Sequence, residues 1–298
     1  MSSIKHLIFS GGGHNIITMF GAISHLKKEH YIDFSKIKSI DGTSAGALLG
    51  FICIINPDHD AIMKYLVQRP WENVFNITPE IIFQAFQSKG LFDIKNFEQI
   101  LVPIIKSCGI ERTITFKELY DINGIDFNIY VTELNTLKMV RLSHDTSPDN
   151  NVIDGIYKSC AIPPLFKPVI ENQNCYFDGG IFANYPLTCF IDRMKSQNID
   201  IELSEVFGMK LIYEKGNNHH IVEESNITEY IFSIIKNLMQ TIINKKNNIS
   251  IPNELLIYSK GTSFETLKKT INSSDERNFL LNEGKRYASV YHTYKMKE

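Results

Sequence analysis

The sequence has no Cys-x-x-Cys pair, no marked excess of either charge and no apolar run long enough to span a bilayer, and each absence narrows what the chain can be. Its five cysteines, Cys53, Cys108, Cys160, Cys175 and Cys189, are odd in number and scattered, so the thiols read as reduced and mostly buried rather than as a disulfide set. With 31 basic against 33 acidic residues the formal net charge is -2, which argues against a broad nucleic-acid surface. The apolar stretch from Ala47 to Ile55 is too short for a transmembrane helix, and the N-terminus enters a strand without an apolar core of signal-peptide length. A cytoplasmic protein with reversible, peripheral contact to membranes is expected. Metal signatures are equally thin: no His-Glu-x-x-His occurs, and the adjacent His219 and His220 read as a solvated loop. There is no internal repeat, and no Pro/Gly/Ser-rich linker divides the first 213 residues.

What is present is glycine in three well-placed clusters. Gly42-Thr43-Ser44-Ala45-Gly46 lies between a strand-like run ending at Asp41 and the apolar run from Ala47 to Ile55. A serine hydroxyl is a poor nucleophile at neutral pH, and a tight strand-to-helix turn with small neighbours opens it to both a base and a substrate. Gly42 and Gly46 supply that clearance, so the pentapeptide reads as a nucleophile elbow, although alone it also fits an ordinary turn. Gly11-Gly12-Gly13 follows the apolar run Leu7, Ile8, Phe9 and precedes a helix-like stretch. Backbone N–H groups in such a turn can hold a phosphate or an oxyanion. The run lacks the last glycine of G-x-G-x-x-G and no G-x-x-x-x-G-K-[ST] occurs, so an oxyanion hole fits better than a nucleotide site. Asp178-Gly179-Gly180 in isolation would be a structural turn; beside the other two clusters it reads as a carboxylate base for the serine. Asp41 sits on the elbow strand itself and reads as structural. Tyr176 and Phe177 read as core residues, with lining of an acyl site as the alternative.

Together these residues resemble the patatin-like phospholipases, whose dyad is the serine of G-x-S-x-G and the aspartate of D-G-[GA]. The order matches over about residues 5 to 213. Thr115-Phe116-Lys117-Glu118-Leu119-Tyr120, Val131-Thr132-Glu133-Leu134-Asn135-Thr136, Ser159-Cys160-Ala161-Ile162-Pro163 and Asn184-Tyr185-Pro186 also look like family landmarks. One departure is Asn15 and Ile16, where the family usually has Arg or Lys and then Gly. The resemblance implies Ser44 and Asp178 as a catalytic dyad, Gly11, Gly12 and Gly13 as the oxyanion hole, and Gly179 and Gly180 as the turn that carries the base. It further implies a phospholipase A or lysophospholipase type of ester hydrolysis on a membrane lipid or lysolipid, with no metal or cofactor.

The fold implied is a three-layer α/β/α arrangement with a mostly parallel central sheet, and the periodicity agrees. Strand-like runs at Ile4 to Ser10, Ile37 to Asp41, Phe127 to Glu133, Met139 to Ser143 and Val206 to Tyr213 alternate with helix-like stretches at Ile16 to Lys28, Ala45 to Ile55, Ile94 to Lys106 and Val152 to Cys160. Residues 5–213 are expected to form the catalytic domain and 214–298 a helical appendage packed on it. In that tail, Thr228 to Ile243 carries Ile231, Ile234, Ile235, Leu238, Met239, Ile242 and Ile243 at helical spacing, a face for docking on the domain or for lying on a membrane. Two other functions stay open: a serine esterase with a histidine base such as His144 or His292, and a catalytically weak lipid-binding scaffold, suggested by Asn15 and Ile16.

Overall fold

A computed structural model describes residues 3–213, 221–225, 227, 229–231, 233, 234, 237, 249–259 and 264–297. Eight strands form one sheet: β1 (His6–Phe9), β2 (Ser39–Thr43), β3 (Asp126–Glu133), β4 (Lys138–Leu142), β5 (Val169–Glu171), β6 (Asn174–Asp178), β7 (Val206–Tyr213) and β8 (Asn253–Ser259). Their order is β5-β6-β3-β2-β1-β7-β8, with β4 on β3. The run β3-β2-β1-β7-β8 is parallel, while β4 and β6 are antiparallel to β3 and β5 is antiparallel to β6. The sheet is therefore mixed but mostly parallel, as expected.

Alternation along the strands separates two apolar layers. Leu7 and Phe9 of β1, with Phe207, Met209 and Leu211 of β7, enter one layer; Ile8 and Val206 enter the other. The first layer is covered by α1 (Ile16–Lys28), α2 (Ala45–Ile55), α3 (His59–Gln68), α5 (Ile94–Ser107), α6 (Phe116–Asn123) and α7 (Val152–Cys160), and the second by α9 (Leu187–Ser196). Two further helices, α4 (Pro79–Ser88) and the short α8 (Gly180–Ala183), complete the family-like part. The Thr115 to Tyr120 landmark is a helix start. Thr115 Oγ1 accepts the Glu118 N–H at 3.2 Å, and Glu118 accepts the Thr115 N–H at 2.8 Å, so two orphan donors of α6 are satisfied reciprocally.

The tail departs from the helical appendage expected. Residues 253–259 form β8, whose buried Leu255, Ile257 and Ser259 alternate with the more open Leu256 and Tyr258, and it joins the sheet beside β7. Two helices follow, α10 (Phe264–Asn272) and α11 (Ser274–Lys295). A Cβ at Gly21 would lie 2.2 Å from the Leu281 carbonyl oxygen, and one at Gly284 would lie 1.9 Å from that of Thr18. These two glycines let α1 and α11 meet backbone to backbone. The amphipathic stretch expected at Thr228 to Ile243 lies mostly outside the described residues; Ile231 and Ile234 are helical and exposed. Among the described residues, no helix is long and apolar enough to cross a membrane.

Candidate active site

Strand β3 organises the site. Its residues 129–133 pair with β4, its residues 126–130 with β2 and its residues 131–133 with β6. Because β4 overlaps both, β2 and β6 must share the opposite edge of β3, one ending where the other begins. Thr43, the last residue of β2, pairs with Tyr130, and Asp178, the last residue of β6, pairs with Val131. The chain leaving β2 as Ser44 and the chain ending β6 at Asp178 thus arrive at adjacent positions of one strand.

Ser44 has φ 54° and ψ -123°, a left-handed conformation that costs a side-chain-bearing residue on the order of 1–3 kcal/mol. The strain is held from three sides. A Cβ at Gly42 would lie 2.5 Å from the Gly46 carbonyl oxygen, and one at Gly46 would lie 2.3 Å from that of Phe9, so the elbow closes only with glycine at both places. The Ser44 N–H donates to Ser159 Oγ at 2.8 Å, and that hydroxyl donates to the Tyr130 carbonyl at 2.7 Å. Helix α2, buried all round, begins at the next residue and directs the positive end of its dipole at the turn.

Asp178 is buried. Its Oδ1 accepts the Gly180 N–H at 2.7 Å, and the Ser44 hydroxyl lies close enough to the carboxylate to lower its pKa. Burial raises its pKa to about 6, against the lowering effect of the Ser44 hydroxyl and the Gly180 N–H. The turn after it is tied to the other motifs: Thr43 Oγ1 donates to the Ala183 carbonyl at 2.6 Å and the Gly11 N–H to the Asn184 carbonyl at 2.7 Å. The second bond corrects the expectation for Gly11. Its N–H is engaged in joining two loops, and a Cβ there would lie 2.5 Å from Asn184 Oδ1, so close approach accounts for the glycine.

The N–H groups of Gly12 and Gly13 meet no acceptor among the described residues. Gly13, with φ 54°, opens a 3-10 turn that leads into α1. Buried Asn15 holds this loop: its backbone N–H and its Nδ2 both donate to the Gly12 carbonyl, at 3.1 and 3.0 Å. The residue that departs from the family pattern thus has a local structural task.

A cavity of about 200 Å³ opens beside Ser44. Gly13, His14, Ser44 and Cys160 share its wall with apolar side chains from α1, α2, α3, α5 and α10. Ser44, Leu48 and Ile52 line it at intervals of one turn, a track of roughly 12 Å along α2. Burial pushes the His14 pKa down to about 4, with Glu276 opposing, so the ring is neutral at pH 7. Burial also pushes the Cys160 thiol up, leaving a neutral thiol in the cavity wall beside Ser44. Ser159, His14 and Cys160 had no assigned role in the sequence. The first two flank motifs already recognised, Ser159 in a landmark segment and His14 directly after the triglycine, and that adjacency is the signal that could have found them.

Other candidates fall elsewhere. Asp41 is buried, accepts a hydrogen bond from the Tyr130 hydroxyl at 2.6 Å and another from Arg193 at 2.7 Å, and faces α9, away from the cavity. Burial raises its pKa to about 6, with Arg193 and Tyr130 opposing. His144 stacks on Tyr120 with ring centroids 3.9 Å apart, beside Asp126, and His292 packs edge-on against Tyr31. Neither these imidazoles nor Tyr176 and Phe177 line the cavity. His219 and His220 lie outside the described residues. The five cysteines are thiols outside any disulfide, with Cys53 and Cys160 buried and the others half-buried. Among the described residues, no group of His, Cys, Asp and Glu is placed to hold a metal ion.

Comparison with known proteins follows the same pattern. The chain is 25% identical over 272 residues to the probable lipid hydrolase 463L of invertebrate iridescent virus 6, covering 90% of each chain. It is 24% identical over 233 residues to the uncharacterized protein R571 of Acanthamoeba polyphaga mimivirus, covering 78% of this chain and 75% of that one. Among solved structures, the type III effector protein ExoU of Pseudomonas aeruginosa shares the fold with a TM-score of 0.51 at 12% identity. That match takes in all of this chain but only 54% of ExoU. Residues 7–191 match the family model for patatin-like phospholipase, more than half of the sequence. On that match, the chain belongs to the patatin-like phospholipase family.

Proposed function

We propose that the protein is a lipid acyl hydrolase of the phospholipase A or lysophospholipase type, with Ser44 as nucleophile and Asp178 as its base. The observation that carries this reading is a strained serine that opens on an apolar cavity with a buried carboxylate beside it. As Ser44 Oγ attacks the ester carbonyl, its proton passes to Asp178. The tetrahedral oxyanion forms against the N–H groups of Gly12 and Gly13. One such donor is worth roughly 3 to 4 kcal/mol when aligned. Asp178 then protonates the leaving alkoxide, and the acyl chain remains esterified to Ser44 with its tail in the cavity. Water attacks the acyl-enzyme, gives its proton to Asp178, and the acid and free Ser44 are regenerated. The lipid is drawn from a membrane or lysolipid aggregate by peripheral contact, from the cytoplasmic side.

A histidine base is the second reading, because His14 is the one imidazole that lines the cavity with Ser44 among the described residues. Its pKa of about 4 makes it a poor proton acceptor, which favours Asp178. A fluorophosphonate probe followed by peptide mass spectrometry tests the whole reading. Label on Ser44, together with fatty acid release from phosphatidylcholine or lysophosphatidylcholine vesicles that Ser44→Ala loses, is the expected result. Failure of Ser44 to label in folded protein would exclude the nucleophile and leave the lipid-binding scaffold.

A further inference from the structure

The cavity wall does not come only from the family-matched part of the chain. Leu267, Thr270 and Ile271 of α10 line it, and they lie well beyond residue 191, where the family match ends. Their spacing is i, i+3, i+4, so they form one stripe on one helix face. Glu265, Lys268 and Lys269 on the remainder of α10 are exposed. The Thr270 hydroxyl donates to the Thr266 carbonyl at 2.9 Å, so its polar atom is satisfied within the helix. Leu267 also packs with Phe92 and Leu165, which share the same wall.

Arg277, in the first turn of α11, holds this stripe in place. Its guanidinium donates to the carbonyls of Thr270 and Ile271 at 2.9 and 2.7 Å and to those of Val67 and Arg69 at 2.9 and 3.0 Å. Thr270 and Ile271 are in the last turn of α10, and Val67 and Arg69 are at the end of α3. One side chain therefore caps the orphan carbonyls of two helices, which fixes the distance between two walls of the cavity. Arg277 is buried and lines the cavity itself. A wall set by helix-end hydrogen bonds has little freedom to yield to a longer ligand.

We infer that the α10 stripe of Leu267, Thr270 and Ile271, positioned by Arg277, sets which acyl-chain lengths the cavity accepts, so that the C-terminal segment is the specificity element of the site. This inference rests on the reading of the cavity as the acyl site. Its physical basis is packing: a close-packed apolar wall discriminates against an added methylene by roughly tenfold or more.

The test compares p-nitrophenyl butyrate with p-nitrophenyl palmitate. Ile271→Trp and Leu267→Trp fill the cavity, and the palmitate-to-butyrate ratio of kcat/KM is expected to fall about tenfold or more in both. Leu267→Ala should move the ratio the other way, and Lys268→Trp, on the exposed face, should leave it at the wild-type value. A second readout needs no catalysis: a fluorescent long-chain fatty acid should bind Ser44→Ala protein and lose that binding when Ile271→Trp is added. If the wild type hydrolyses neither ester while the fatty acid still responds to Ile271→Trp, the nucleophile reading fails and the specificity element stands. If the ratio stays unchanged in the folded Trp variants, or both esters lose activity in equal proportion, α10 does not select the chain and the inference is overturned. Leu267→Ala, a milder change on a half-buried residue, decides the question should the tryptophan variants misfold.

Discussion

Two buried carboxylates have different surroundings: Asp41, on β2 three residues before Ser44, and Asp178, at the end of β6. Both are nearly inaccessible, and burial raises both to about 6. Burial and pKa therefore do not tell them apart; their partners do. Asp41 faces a guanidinium and a phenol, and Arg193 also pairs with Asp126, so its charge is neutralised in a fixed network on the α9 side of the sheet. Asp178 has one backbone N–H and a serine hydroxyl, with no cation among the partners that shift it. What differs is the group that can hand over a proton: Asp41 faces a guanidinium and a phenol that are both held in their protonated forms, whereas Asp178 has the Ser44 hydroxyl beside it.

The largest difference between the two sites should show in stability. Asp41→Asn leaves Arg193 without one of its two carboxylates in the interior, and a loss of about 3 kcal/mol or more is expected in urea unfolding. Asp178→Asn strands no cation, and asparagine keeps an oxygen for the Gly180 N–H. A large destabilisation by Asp178→Asn and a negligible one by Asp41→Asn would invert the comparison.

Next in size is the support of the elbow. Ser159→Ala removes the acceptor of the buried Ser44 N–H and the donor to the Tyr130 carbonyl, with an expected cost of about 1–3 kcal/mol. Turnover on a short-chain ester should fall with it because the strained φ of Ser44 loses a restraint, and unchanged kcat would show that the glycines alone hold the turn.

The pH dependence sharpens the comparison further. A folded pKa raised from 3.8 to about 6 means that the Asp178 contribution to stability is full below the unfolded value and is lost as pH rises through 6. Asp178→Asn escapes that loss. Its thermal midpoint should therefore exceed that of the wild type at pH 8, and the advantage should vanish as pH drops below about 4. Activity of the wild type should show an acidic limb near pH 6, where Asp178 takes up its proton.

The smallest effect is expected at His14. A neutral ring in the cavity wall contributes shape, so His14→Gln should lower kcat/KM on a butyryl ester by less than about tenfold, a modest change for a residue outside the acid–base chemistry.

The elbow, the triglycine and the Asp-Gly-Gly turn were legible because each is a local device in which glycine stands where a Cβ has no room. Gly42, Gly46 and Asp178 could be picked out from residue type and neighbours alone. The triglycine loop was legible only in part: nothing local reveals that the Gly11 N–H is taken by Asn184, a contact between distant segments, or that Asn15 folds back onto Gly12. The convergence of Ser44 on Asp178 needed the register of β2 and β6 on β3. The tail was least legible. The buried stripe of α11 is Arg277, Leu281, Gly284 and Ala288, residues that pack by smallness or by hydrogen bonding and so leave a weak apolar signature. β8 takes its place from the open edge of β7, a pairing between segments distant in the sequence.

The most direct measurement is the rate at which Ser44 is acylated, followed as the burst of p-nitrophenol from a butyryl ester at pH 8 in Asp178→Asn, Asp41→Asn and His14→Gln proteins shown to be folded at the assay temperature. The expected result is a drop of about a thousandfold or more in Asp178→Asn alone, with Asp41→Asn and His14→Gln keeping a readily measured burst. A normal burst in Asp178→Asn, or a collapse in His14→Gln as deep as that of Ser44→Ala, would contradict the assignment of Asp178 as the base.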